Sequence, residues 1–191
     1  MMELGAAEGL YSVIFRDHYA QLNKLCVNVC VELMQHKVEL LHENLPNAIV
    51  YHGYLGDLDT ADGDVLNLRN DEQEDLKIAI NRQKQYKLSD IIRLSGVTHI
   101  DILHVDIQGA EVSVLKEIIN NKISNMIRYF FISTHDPIIL NSHQLCYTLL
   151  NSMPNKNIIL NDPLPHNGSG YGDGLIVIEN LSYAPNELNA S

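Results

Sequence analysis

The stretch ELGAAEG, residues 3–9, sets a carboxylate, Glu3, two positions ahead of a glycine loop built from Gly5, Ala6 and Gly9. A glycine loop between a strand end and a helix start brings backbone N–H groups and the positive helix end close to a ligand, so phosphates and carboxylates both suit it. Ala7 interrupts the dinucleotide fingerprint and Glu3 would repel a pyrophosphate, whereas a cationic ligand with an amino group, such as S-adenosylmethionine, would tolerate or use that charge. Further along, Glu32 closes CVNVCVE at about the spacing at which nucleotide-binding α/β folds place an acid on ribose hydroxyls. Asp106 closes IDILHVD, with Gly109 and Glu111 opening the segment that follows, and Thr134, His135 and Asp136 end the run YFFISTHD. Each of these residues alone also fits a helix-start or capping role. Ligands of open α/β sheets bind outside the carboxyl ends of the strands, so Glu3, Glu32, Asp106 and His135 are expected to line one rim.

The elements that must position them follow from the apolar runs at 26–31, 48–52, 100–106, 129–134, 156–160 and 174–179, most of which read as buried strands. Helical spacing fills 9–20, 33–45, 88–95, 109–120 and 140–152. This alternation predicts an α/β fold of right-handed βαβ units, doubly wound, with a mostly parallel sheet covered on both faces. Only NDPLPHNGSGYGDG separates the last two strands, so they are expected to form a final antiparallel pair, with His166, Tyr171 and Asp173 in the loop between them. Four residues precede Gly5, so the first strand is expected to be short or truncated, and the chain is read as a fragment lacking an upstream part. Residues 1–180 are read as one domain, 57–87 as a lid, substrate insertion or solvated connector, and 181–191 as a flexible tail.

With 191 residues, 46% of them hydrophobic, the chain is the right size for a single core. A formal charge of -11 disfavours a polyphosphate partner, so no nucleic acid is expected. The three cysteines, Cys26, Cys30 and Cys146, fit neither a disulfide framework nor a zinc site, and a reducing, cytoplasmic setting suits them. No apolar run reaches membrane-spanning length, and no ligand spacing marks a metal site.

Five pieces together resemble the FkbM family of class I S-adenosylmethionine-dependent methyltransferases: ELGAAEGLYS, CVELMQHKVELLHENL, IDILHVDIQGAEVSVL, STHDP and GYGDGLIVIEN. The most specific is VDIQGAE, which is similar to the family signature Lys-x-Asp-x-Glu-Gly-Ala-Glu. His104 stands where the family usually has Lys and Gln108 where it usually has Glu, whereas Asp106, Gly109, Ala110 and Glu111 are kept. The resemblance implies a seven-stranded Rossmann-like sheet ending in an antiparallel hairpin, S-adenosyl-L-methionine as cofactor, and methyl transfer to oxygen on a small molecule or sugar. The cofactor-binding set is then expected to be Glu3, Gly5, Ala6, Gly9, Glu32, Asp57 and Asp106. His135 is the first candidate for a general base, with Asp106 and then His104 behind it, because imidazole titrates in the right range. Two other readings stand beside this one: a non-catalytic Rossmann-like module or fragment, and an NAD-dependent oxidoreductase, which Ala7 and Glu3 disfavour.

Overall fold

A computed structural model describes residues 1–56, 83–135, 141–163 and 173–184. The strands are β1 (Met2–Leu4), β2 (Val29–Glu32), β3 (Ile49–Leu55), β4 (Lys84–Tyr86), β5 (Ile100–Val105), β6 (Ile127–His135), β7 (Lys156–Asp162) and β8 (Asp173–Asn180). The helices are α1 (Leu10–Gln21), α2 (Gln35–Asn44), α3 (Leu88–Ser95), α4 (Glu111–Asn120) and α5 (Ser142–Asn151), with a 3-10 turn at Ile123–Met126. The eight strands of the described residues join one sheet in the order β4-β3-β2-β1-β5-β6-β8-β7. Pairing is parallel from β4 through β6, while β8 runs antiparallel to both β6 and β7.

Among the described residues there is one strand more than the expected seven. Lys84–Tyr86 adds a three-residue parallel edge outside β3, at the end of the stretch read as a lid; residues 57–82 of that stretch lie outside the described residues. The apolar run at 156–160 is an edge strand, not a buried one. Ile158, Ile159 and Leu160 are 36%, 54% and 40% exposed. A register shift between Ile158 and Leu160 breaks the ladder there, and such irregularities discourage another chain from pairing with an edge.

Alternation along the strands sorts the two faces. Met2, Leu4, Val29, Val31, Leu103, Val105, Phe130 and Ile132 pack with Leu88 and Ile91 of α3, Val114, Leu115 and Ile118 of α4, and Cys146 and Leu150 of α5. On the opposite face Cys30 packs with Ala6, Leu41 and Leu45, against Val13 of α1. Glu3 and His104 alternate with the first set, so they face α1. Glu117 of α4 caps α3 from outside that helix, accepting from Leu88 N (3.0 Å), Ser89 N (3.0 Å) and Ser89 Oγ (2.7 Å). Glu117→Ala should therefore cost about 1–2 kcal/mol in urea unfolding, as the loss of a helix cap does. Among the described residues no helix is long and apolar enough to cross a membrane.

Candidate active site

The chain order reverses between β1 and β5, which places a crevice at their carboxyl ends. The glycine loop fills one wall. Gly5, Ala7 and Gly9 all take positive φ, 75°, 46° and 79°. Ala7, the residue that breaks the dinucleotide fingerprint, is held in this left-handed conformation with its N–H donating to Glu32 Oε2 at 2.8 Å. The other Glu32 oxygen accepts from Met34 N at 2.7 Å. Glu32 thus ties the loop after β1 to the start of α2.

Glu3 lies beneath the loop, 1% exposed. Its Oε2 accepts from Ser12 Oγ (2.5 Å) and Ser12 N (3.2 Å), both in the first turn of α1. Across β1 and β5, Glu3 stands opposite His104, with Oε1 3.4 Å from Nδ1. Cys30 is in register on the other side, and burial pushes its thiol up to about 12, so it stays neutral packing. The backbone continues the seam: Asp106 N donates to Leu4 O at 2.9 Å, and Gly5 lies against the Asp106 carbonyl.

Asp106 and His135 meet at this rim. His135 Nε2 is 3.1 Å from Asp106 Oδ1, and its Nδ1 is 2.6 Å from Glu111 Oε1. Glu111 is fully buried and also accepts from Gly109 N (2.9 and 3.1 Å). Burial works to lower the His135 pKa, yet hydrogen bonds and charge from Asp106 and Glu111 override it and raise the group from 6.5 to about 10. Burial likewise works to raise the Asp106 pKa, but the His135 bond and charge, helped by His104 and Lys37, carry it below the ordinary carboxylate value. At neutral pH this is an imidazolium between two carboxylates, with the Asp106 side chain 38% exposed.

Glu3, Gly5, Ala6, Glu32, Asp106 and His135 are thus gathered around the ends of β1, β2, β5 and β6, and Gly9 caps α1 where a Cβ would fall 2.7 Å from the Leu41 and 2.8 Å from the Leu45 side chain. Asp57, Asp136, His166 and Tyr171 lie outside the described residues. Thr134 turns to the other face, where its hydroxyl meets His143 Nδ1 (2.9 Å) and His143 Nε2 meets Asn161 Oδ1 (2.9 Å). Two partners were not anticipated as such. Ser12 carries no signal beyond its place in the first helical turn after the loop, and Glu111 reads in sequence as a helix-start acid, not as the buried partner of a histidine 24 residues on.

A family model described as the methyltransferase FkbM domain matches residues 3–148. Among solved structures, the FkbM methyltransferase from Methylobacillus flagellatus KT aligns with a TM-score of 0.61 at 15% identity, over 93% of this chain and 42% of that one. M. capricolum TrmK, in complex with S-adenosylhomocysteine, aligns with a TM-score of 0.49 at 12% identity, over 95% of this chain and 62% of that one. The chain spans less than two thirds of the length of either. No curated protein sequence matches it.

Proposed function

The chain belongs to the FkbM methyltransferase family, and on that premise we propose that it transfers the methyl group of S-adenosyl-L-methionine to a hydroxyl oxygen of a small molecule or sugar. The observation that carries this reading is the gathering of Glu3, Glu32 and Asp106 beside a glycine loop whose Gly5 leaves no room for a Cβ. These residues suit the donor. Two of the roughly four lone-pair sites on the Glu32 carboxylate are taken by Ala7 N and Met34 N, which leaves two for the vicinal hydroxyls of a ribose. Anionic Glu3 and Asp106 suit a sulfonium and an ammonium. S-adenosyl-L-methionine, when bound, supplies a methyl group already activated on sulfur.

The protein's task is then alignment and proton management. Asp106, ionised and partly exposed, accepts the hydrogen bond of the acceptor hydroxyl and takes up its proton as the new bond forms, a contribution of roughly 10²–10⁴-fold for such groups. His135 has both nitrogens turned to carboxylates and carries its proton at neutral pH, so it has no lone pair for an acceptor proton. The base role expected for it passes to Asp106, and His135 becomes the residue that orients Asp106. A charge of -11 favours a small acceptor over a nucleic acid, and three cysteines too few for a disulfide framework suit the cytoplasm.

Calorimetry tests the donor site. S-adenosylhomocysteine should bind and NAD should give no signal. Glu32→Ala should weaken S-adenosylhomocysteine binding roughly 10- to 100-fold, the loss of charge-assisted hydrogen bonds. Unchanged affinity would put the ribose elsewhere, and mass spectrometry with methyl-labelled donor then identifies the acceptor.

A further inference from the structure

We propose that the acceptor is an aromatic hydroxyl and that Tyr11 sets this specificity: its exposed ring and Phe131 wall a trough over β5 that ends at the Asp106 carboxylate. The inference rests on the reading of Asp106 as proton acceptor given above.

The trough follows from register. His104 and Asp106 stand two residues apart along β5 and its continuation, about 6.6 Å, and so on one face of the sheet. Phe131 of β6 is in register with His104 and only partly buried. On the other side the Tyr11 ring packs on His104, with centroids 4.6 Å apart and planes tilted by 59°. The Ser12 bonds to Glu3, which pairs with His104 across β1 and β5, hold the first turn of α1 at this level. Tyr11 nonetheless keeps 54% of its surface exposed, and Leu10 beside it and Ile14 one turn on keep 63% and 58%. Scattered apolar residues on a surface need no explanation, but a cluster continuous with a polar site marks a place for a ligand. Tyrosine offers such a ligand a large, rigid contact at low entropic cost.

The chemistry at the end of the trough selects the hydroxyl. Asp106 lies 3.1 Å from a protonated His135 and is held below the ordinary carboxylate value, which makes it a weak base. An alkyl hydroxyl is about as weak an acid as water, with a pKa of about 15.7, whereas a phenol such as the tyrosine side chain has a pKa of about 10. Proton transfer to Asp106 is therefore more favourable from the phenol by roughly 10⁵- to 10⁶-fold. A sugar would also bring further hydroxyls, each needing a partner once buried, to a trough walled by rings. The phenol oxygen bonds to the methyl carbon as its proton passes to Asp106. The electron pair of the broken C–S bond stays on sulfur, leaving S-adenosylhomocysteine and a neutral aryl methyl ether.

Methyl-labelled S-adenosyl-L-methionine, offered with a series of substituted phenols and with methyl pyranosides, tests this. Phenols should be turned over at least about 100-fold faster in kcat/KM. Tyr11→Ala should raise KM for the phenol about tenfold while kcat and S-adenosylhomocysteine affinity stay within about twofold, and Tyr11→Phe should behave as wild type. Pyranosides turned over as fast as phenols, no transfer to any phenol by protein that binds S-adenosylhomocysteine, or an unchanged KM in Tyr11→Ala overturns the proposal. A loss of S-adenosylhomocysteine affinity in Tyr11→Ala overturns it too, since Tyr11 then serves the donor. If wild type binds no S-adenosylhomocysteine, it is the donor reading that fails. The trough is then read by saturation-transfer NMR of 4-methylphenol on the protein alone: ring-proton signals lost in Tyr11→Ala and kept in Tyr11→Phe support it, and equal signals in all three overturn it.

Discussion

His135→Ala should lower the unfolding free energy by about 3–5 kcal/mol, the cost of breaking a buried ion pair from one side, and the Tm by roughly 6–20 °C for a chain of this size. The effect is large because of Glu111. That carboxylate is fully buried, and without the imidazolium the hydrogen bonds it keeps among the described residues are those from Gly109 N–H. The pH dependence follows from the directions of the shifts. His135 has a folded pKa of about 10 against 6.5 unfolded, so its contribution is complete below about pH 6.5 and is lost as pH rises towards 10. Asp106 is shifted down, so its contribution is present above about pH 4 and is lost as pH falls through the folded value. The difference between wild type and His135→Ala should therefore be widest from about pH 4 to 6.5 and narrow on the alkaline side. Asp106→Asn should be milder, because that side chain is partly solvated. Urea unfolding across this range decides the matter: a gap under about 1 kcal/mol, or one that does not narrow above neutrality, would mean that Glu111 is satisfied without His135.

The same trio marks where the sequence is legible. Apolar runs and helical spacing place β2, β3, β5, β6, β8 and the five helices of the described residues to within a few residues, because burial on both faces writes long Val- and Ile-rich runs. Lys84–Tyr86 escapes this reading: a three-residue exposed edge has no apolar alternation to display. Ile158, Ile159 and Leu160 mislead it in the opposite sense, since an apolar run carries no mark of whether its strand is central or at the edge. At the site, acids at strand ends are visible because topology alone sends them to one rim. Their pairing is not. His135 is within reach of both Asp106 and Glu111 only because β5 and β6 are neighbours and α4 begins directly above them. Ala7 looks like a defect in a glycine motif until its N–H is seen on Glu32.

Gly5→Ala should abolish S-adenosylhomocysteine binding and cost more than about 3 kcal/mol of stability, while Gly96→Ala should cost only about 1–2 kcal/mol and leave binding intact. Both glycines hold nearly the same left-handed φ, +75° and +69°, so the conformational penalty of a side chain, about 1–2 kcal/mol, is common to the two. Their surroundings differ. At Gly96, the αL end of α3, a Cβ meets nothing within 4 Å. At Gly5 it falls 1.8 Å from the Asp106 carbonyl oxygen and 2.8 Å from its carbon, and backbone cannot swing aside as a side-chain tip does. Relief requires β1 and β5 to part, which breaks the Asp106 N to Leu4 O bond at the end of the seam. Parting there moves Asp106 away from Glu3 and from the loop, so donor binding is lost with the stability. Parallel urea melts and calorimetry on the two variants isolate the close approach from the torsion. Equal costs at the two positions would mean that the strands at the crevice yield freely, and that the rim is not the rigid cradle on which the donor site depends.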